Sequence, residues 1–206
     1  MRPPITALVL AALALGTAAT RSSTVPPESS PPSVEETCTA REPADPVPTV
    51  VELPAWQTLE ITDVEGVTFT LADCLGTPVL VELFATWCSN CRQQLPKTQE
   101  AAVTMGDRAE ILALSVETDI DPGDVARYAE DNEFPDIRFA VISPELLAAF
   151  VEEFGHSAAN PPSTPKIVID AAGVAGEMTT GQESTEDLVA QLTAAAHPGG
   201  TATTAP

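Results

Sequence analysis

Basic side chains are scarce. Nine Lys and Arg stand against 30 Asp and Glu, which leaves a net charge of −21, and Lys97 and Lys166 are the lysines. Nucleic-acid binding needs clustered cations to neutralise phosphates, so nucleic acid is excluded as an expected partner. The acidic, lysine-poor surface fits either a salt-rich habitat or plain solubility, because net charge speaks to solubility and not to fold. Aromatics make up 4 % of the chain and histidines number two. Zinc needs four ligands. His156 and His197 are far apart in the chain, so no metal is expected. No apolar run reaches the ~20 residues that a membrane-spanning helix requires. The longest, Ile5 to Leu15, follows Arg2 and precedes Gly16-Thr17-Ala18-Ala19. That order is the pattern of an export signal, with an uncleaved short anchor as the alternative. No cysteine follows the apolar core, which leaves a lipoprotein anchor unsupported.

Four cysteines are present, and two of them organise the chain. Pro78-Val79-Leu80-Val81-Glu82-Leu83-Phe84 is a short, β-branched apolar run that reads as a buried strand. Ala85-Thr86-Trp87 leads from it to Cys88-Ser89-Asn90-Cys91, and a polar, helix-compatible segment follows. Cys88 would open that helix and Cys91 would lie one turn in. The first N–H groups of a helix have no carbonyl partner and the helix dipole is positive there, so a thiolate is favoured over a thiol. A thiolate attacks disulfides, and a second thiol one turn away resolves the mixed disulfide. The competing uses of such a pair are a structural disulfide and half a zinc site. Placement between strand and helix favours redox chemistry over both.

The stretch resembles the thioredoxin superfamily, specifically its secreted TlpA-like and DsbE-like members. Trp87, Cys88, Cys91 and Pro96 carry the resemblance, which spans roughly residues 50 to 195. It implies an α/β thioredoxin fold with an N-terminal β-hairpin and a central mixed sheet flanked by helices on both faces. It also implies thiol–disulfide oxidoreductase activity. Cys88 would be the nucleophile, Cys91 the resolving thiol, and Glu82 the buried acid that exchanges a proton with Cys91. Thr164-Pro165 matches the cis-proline loop, where the Thr164 backbone would pair with a substrate strand, and Trp87 would be an apolar docking surface. Gln94 departs from the Glu that several TlpA-like proteins carry there, which speaks against a cytochrome-maturation role. Ser89 and Asn90 are uncharged, so a modest thiolate shift is expected.

Cys38 and Cys74 remain. If Cys88 and Cys91 pair, these two are left to each other, closing a loop of about 35 residues that contributes ~3–4 kcal/mol in the chain-entropy model. Alternatively, Cys38 is a mobile thiol that relays electrons. A peroxiredoxin would need Pro-x-x-x-Thr-x-x-Cys, and Thr86 lies only two residues before Cys88 with no matching Pro.

The expected organisation is a signal or anchor over 1–19, a Pro/Ser/Thr/Glu-rich linker over 20–49, a thioredoxin-like domain over 50–197 and a tail over 198–206. Hairpin strands are predicted at 56–61 and 66–71. Further strands are predicted at 78–84, 109–116, 137–142, 166–170 and 174–178. Helices are predicted at 89–103, from the Asp121-Pro122 cap to 132, at 145–154, and from Ser184 to 196. The protein is expected to be exported (periplasmic, cell-wall-associated or secreted) and monomeric, with no cofactor besides the Cys88–Cys91 disulfide. Its expected partners are cysteine-containing exported proteins and an extracytoplasmic or membrane thiol donor. A redox-inactive binding module with a permanent CxxC staple is the rival from another class.

Overall fold

The computed structural model describes residues 52–197; the export segment, the linker, Cys38 and the tail lie outside them. A four-stranded sheet has the order β5-β4-β3-β6. Its strands are β3 (Val79–Phe84), β4 (Glu110–Ser115), β5 (Arg138–Val141) and β6 (Lys166–Ile169). β3 and β4 run parallel, as do β4 and β5, while β6 returns antiparallel to β3. Every residue of β3 is buried, which is why the strand reads as an unbroken apolar run and not as an alternation. Parallel pairing requires crossover connections. α1 (Ser89–Met105) and α2 (Pro122–Asp131) supply them, and α3 (Pro144–Phe154) and α4 (Thr185–Ala195) complete the set.

Successive β3 side chains point to opposite faces. Val79, Val81 and Leu83 meet Leu146 and Phe150 of α3 together with Trp56, Ile61, Phe69 and Leu71. Leu80 and Phe84 face the other way, onto Leu95 of α1, Val125 of α2 and Leu188 of α4. Burying each such aliphatic or aromatic side chain contributes about 1.5–3 kcal/mol. Glu82 shares the parity of Leu80 and Phe84 and is therefore turned toward α1.

The helix starts follow their capping residues. The Asp121 carboxylate accepts from the Gly123 N–H and the Ser143 hydroxyl from the Leu146 N–H, each with Pro at the first helical position. Ser184 and Asp187 form a reciprocal capping box on α4.

Two expectations change. Ala55–Thr58 is a 3-10 turn and not a strand, so the N-terminal hairpin shrinks to β1 (Ile61–Thr62) and β2 (Thr68–Phe69). The reason is packing: Trp56 turns inward, edge-on to Phe150 and Phe154. The hairpin also docks onto β5. Asp63 bridges to Ala140, its Oδ2 accepts from Arg138 Nε at 2.7 Å, and the Arg138 guanidinium stacks on Phe69. The expected strand at 174–178 touches β6 only through isolated bridges, Ile169 to Ala175 and Lys166 to Thr179. Three residues, 176–178, oppose two on β6, and this bulge prevents a regular ladder. At Gly173 (φ +84°) any Cβ would lie 2.6 Å from Leu53 Cδ2, so the turn after β6 requires glycine.

Candidate active site

β3 ends at Phe84 and the chain turns through Ala85-Thr86-Trp87. Glu117, just past β4, fixes that turn: its Oε2 accepts the Thr86 N–H at 2.6 Å and the Thr86 hydroxyl at 2.9 Å. Cys88 is then the N-cap of α1, and its Sγ accepts the Cys91 N–H at 3.1 Å. Cys88 and Cys91 form a disulfide with Cα atoms 5.3 Å apart. One otherwise orphaned helix N–H therefore points at the sulfur that would carry charge on reduction, which stabilises the thiolate.

Both cysteines are buried, Cys88 to 1 % and Cys91 to 0 % exposure, whereas Trp87 is 58 % exposed. The turn Pro161–Ser163 covers Cys91, with the Pro161 carbonyl oxygen 3.4 Å from Cys91 Sγ. Asn90 Nδ2 donates to the Pro162 carbonyl at 2.7 Å, and Gln182 Nε2 donates to the Asn90 carbonyl at 2.9 Å. This clasp holds the CxxC against the loop.

The loop corrects one expectation. No peptide bond is cis among the described residues, Thr164–Pro165 included. The chain reverses instead through Thr164, which is left-handed at φ +47° and ends the preceding turn. The Thr164 backbone also faces inward. Its N–H donates to the Pro161 carbonyl at 2.7 Å, and its carbonyl accepts from Lys166 Nζ at 2.8 Å. Thr164 and Pro165 are both buried. In this conformation the Thr164 N–H and carbonyl are each engaged within the loop, and Trp87 is the exposed apolar residue beside the disulfide.

Beneath the CxxC lies a buried polar network. Glu82 is fully buried. Its Oε2 accepts from the Thr98 hydroxyl at 2.6 Å, and its Oε1 has no hydrogen-bond partner among the described residues. Burial pushes the Glu82 carboxyl up to about 7, against the lowering effects of the Thr98 hydrogen bond and the Lys166 charge. Lys166, opposite Glu82 in the β3–β6 register, is 1 % exposed and pairs with Glu183 Oε2 at 3.3 Å. Gln94 is buried too, and its Oε1 accepts the Glu183 N–H at 2.8 Å. Glu117, Lys166, Glu183, Gln182 and Asn90's clasp were not legible as site residues. For Lys166 one signal existed: a lone lysine opening an apolar strand.

Cys74 is disulfide-bonded; Cys38, its expected partner, lies outside the described residues.

Residues 51–173 match the AhpC/TSA family. A thioredoxin-like protein of Synechocystis sp. is 34 % identical over 107 residues, covering 46 % of this chain and 94 % of that one. A thioredoxin of Mycolicibacterium smegmatis is 38 % identical over 52 residues, 24 % of this chain, and the chain spans about half (46 %) of that protein. Among solved structures, a thiol:disulfide interchange protein of Chlorobium tepidum superposes with a TM-score of 0.57 at 23 % identity, covering 68 % of this chain and 93 % of that one. A secreted Mycobacterium tuberculosis disulfide oxidoreductase homologous to E. coli DsbE gives 0.52 at 15 % identity, with 68 % and 97 % covered. These identities speak to the fold. The chain belongs to the AhpC/TSA family of the thioredoxin superfamily, with the fold and CxxC centre of a thiol–disulfide oxidoreductase.

Proposed function

We propose that the protein reduces disulfides in other exported proteins. The observation that carries this reading is the Cys88–Cys91 disulfide at the N-terminus of α1, with the Cys91 N–H on Cys88 Sγ and a buried carboxyl on the same sheet face. In the reduced enzyme the Cys88 thiolate attacks a substrate disulfide, forming a mixed disulfide and releasing one substrate thiolate. Cys91 gives its proton to the Glu82 carboxylate. Its thiolate then attacks Cys88 Sγ, re-forming the Cys88–Cys91 bond and releasing the second substrate thiolate. The substrate gains two electrons and the enzyme loses two. An extracytoplasmic or membrane dithiol donor returns them, and the cysteine pair is itself the redox group.

Reduction is favoured over oxidation because Ser89 and Asn90 bring no positive charge to Cys88, so the thiolate is stabilised mainly by the helix terminus. Export is supported by the Arg2 and Ile5–Leu15 pattern and by the secreted nature of the M. tuberculosis neighbour. The Cys74 disulfide fits an oxidising compartment, and Cys38 is its proposed partner.

The deciding measurement is the midpoint potential of the Cys88–Cys91 pair with Cys38 and Cys74 replaced by Ser, alongside insulin reduction. A value near the ~−270 mV of thioredoxin supports a reductant; one near the ~−120 mV of DsbA makes it an oxidant. The near-complete burial of both cysteines favours one second reading, a binding module with a permanent staple. A pair that never equilibrates with glutathione would establish it.

A further inference from the structure

Lys166 is a buried cation on which three acceptors converge. Its Nζ donates to the Thr164 carbonyl at 2.8 Å and to the Gly181 carbonyl at 2.8 Å, and it pairs with Glu183 Oε2 at 3.3 Å. An ammonium group has three N–H donors, so these partners use all of them. Across the ladder, in register, stands Glu82, whose Oε1 is buried with no hydrogen-bond partner among the described residues. A saturated donor and an unsatisfied acceptor therefore sit on paired residues of adjacent strands.

Thr164 closes the turn that covers Cys91. The Thr164 hydroxyl donates to the same Gly181 carbonyl at 2.6 Å, and the Gly181 N–H returns to the Ser163 carbonyl at 2.8 Å. The charged and titratable groups acting on Glu82 come from separate elements. Lys166 lies on β6 and Glu183 on the segment before α4, and both act on it through space. Tyr128 of α2 lies near enough for the Glu82 charge to act on its hydroxyl, and Cys88 and Cys91 open α1 on the same sheet face. Thr98 of α1 is the uncharged hydrogen-bond donor.

We propose that Lys166 and Glu183 form a positioning pair, in which Lys166 both locks the Thr164 turn over Cys91 and sets the charge on Glu82. One buried ammonium thereby links the loop beside the disulfide to the proton acceptor. The kinetic part of this inference rests on the reading that Glu82 accepts the Cys91 proton. The Lys166 charge draws the Glu82 carboxyl down and the Glu183 charge pushes it up. Removing one or the other therefore moves Glu82 in opposite directions, which a merely structural role would not do.

The test compares Lys166→Met, Lys166→Arg and Glu183→Gln in the full chain. Two readouts are taken from pH 5 to 9: the carboxyl ¹³C titration of Glu82, and single-turnover reduction of a disulfide-linked fluorescent peptide. Lys166→Met is expected to move the Glu82 titration and the rising limb of the rate to higher pH by about one unit, about tenfold in rate at fixed pH on that limb. Glu183→Gln moves both to lower pH, and Lys166→Arg stays near wild type. Amide exchange at Thr164 and Gly181 accelerates in Lys166→Met alone. If Lys166→Met does not fold, Glu183→Gln and Lys166→Arg decide the matter, because Glu183 is partly exposed. A Glu82 titration that stays put, or that moves the same way in Lys166→Met and Glu183→Gln, overturns the pair. The parent reading fails separately, if Glu82→Gln keeps the wild-type pH–rate limb while the Glu82 titrations still diverge.

Discussion

At the scale of single residues, Glu82 carries a strong dependence on pH. Its carboxyl is raised from 4.5 to about 7 by burial, so the folded state holds a proton that the unfolded chain loses above about pH 4.5. Stability from this group is complete below pH 4.5 and is lost as pH rises to about 7, by about 3 kcal/mol over the window. Glu82→Gln removes that dependence. Denaturant titrations are expected to show the variant equal to wild type at pH 4.5 and more stable at pH 8 by up to about 3 kcal/mol. A wild-type-minus-variant difference that is flat with pH would contradict the buried, protonated acid. Glu117 offers a second residue-scale test. Its carboxylate receives both the N–H and the hydroxyl of Thr86, and Glu117→Ala leaves that N–H without its charged partner, costing about 1–3 kcal/mol. Urea unfolding measures the loss, and insulin reduction should slow with it, because the turn that aims Cys88 is released.

At the scale of elements, α1 carries the chemistry at its first turn and tolerates Pro96 further on, where a backbone hydrogen bond is missing. Its start is held by Cys88 and by the Asn90 clasp, and its buried face by Leu95, Ala101 and Met105. α3 rests on the opposite face and depends on its cap. Ser143→Ala removes the acceptor for the Leu146 N–H and is expected to cost about 1 kcal/mol, seen as a lower denaturation midpoint at unchanged slope. The turn after β6 is more demanding. Gly173→Ala adds a Cβ against Leu53 and Leu75 in a left-handed conformation, and Gln57 Nε2 must keep its bond to the Gly173 carbonyl. We expect a loss larger than that of Ser143→Ala; a smaller one would mean that the Leu53 side chain yields freely.

At the scale of the molecule, 30 acidic groups against nine basic ones make charge repulsion a general destabilising term. Salt screens such repulsion over about 10 Å at 0.1 M and about 3 Å at 1 M. The midpoint of thermal unfolding is therefore expected to rise between 0.05 and 1 M KCl, and a fall would place the decisive charges in buried pairs such as Lys166–Glu183. No described helix is long and apolar enough to cross a membrane.

The thioredoxin fold was legible only through the resemblance that Trp87, Cys88, Cys91 and Pro96 carry; the CxxC at a strand-to-helix junction and the caps of α2, α3 and α4 were legible directly. Each of the latter is a local property: a β-branched run, a spacing, a side chain that bonds its own helix terminus. The parity that sets Glu82 on one face with Leu80 and Phe84 follows from the strand period, but that α1 covers this face is a tertiary fact. What lay beyond the sequence depends on partners far apart in the chain. Trp56 leaves its expected strand because Phe150 and Phe154 receive its ring. The segment after Gly173 fails as a strand because a bulge puts it out of register with β6. Thr164 turns inward because Lys166, Pro161 and Gly181 satisfy its backbone and hydroxyl. Glu117 reaches Thr86 from the next strand, and Lys166 meets Glu183 across a loop. Local pattern thus determined which chemistry the protein carries. Only tertiary packing decided which groups hold that chemistry in place, because a buried polar atom takes whichever partner the fold brings within reach.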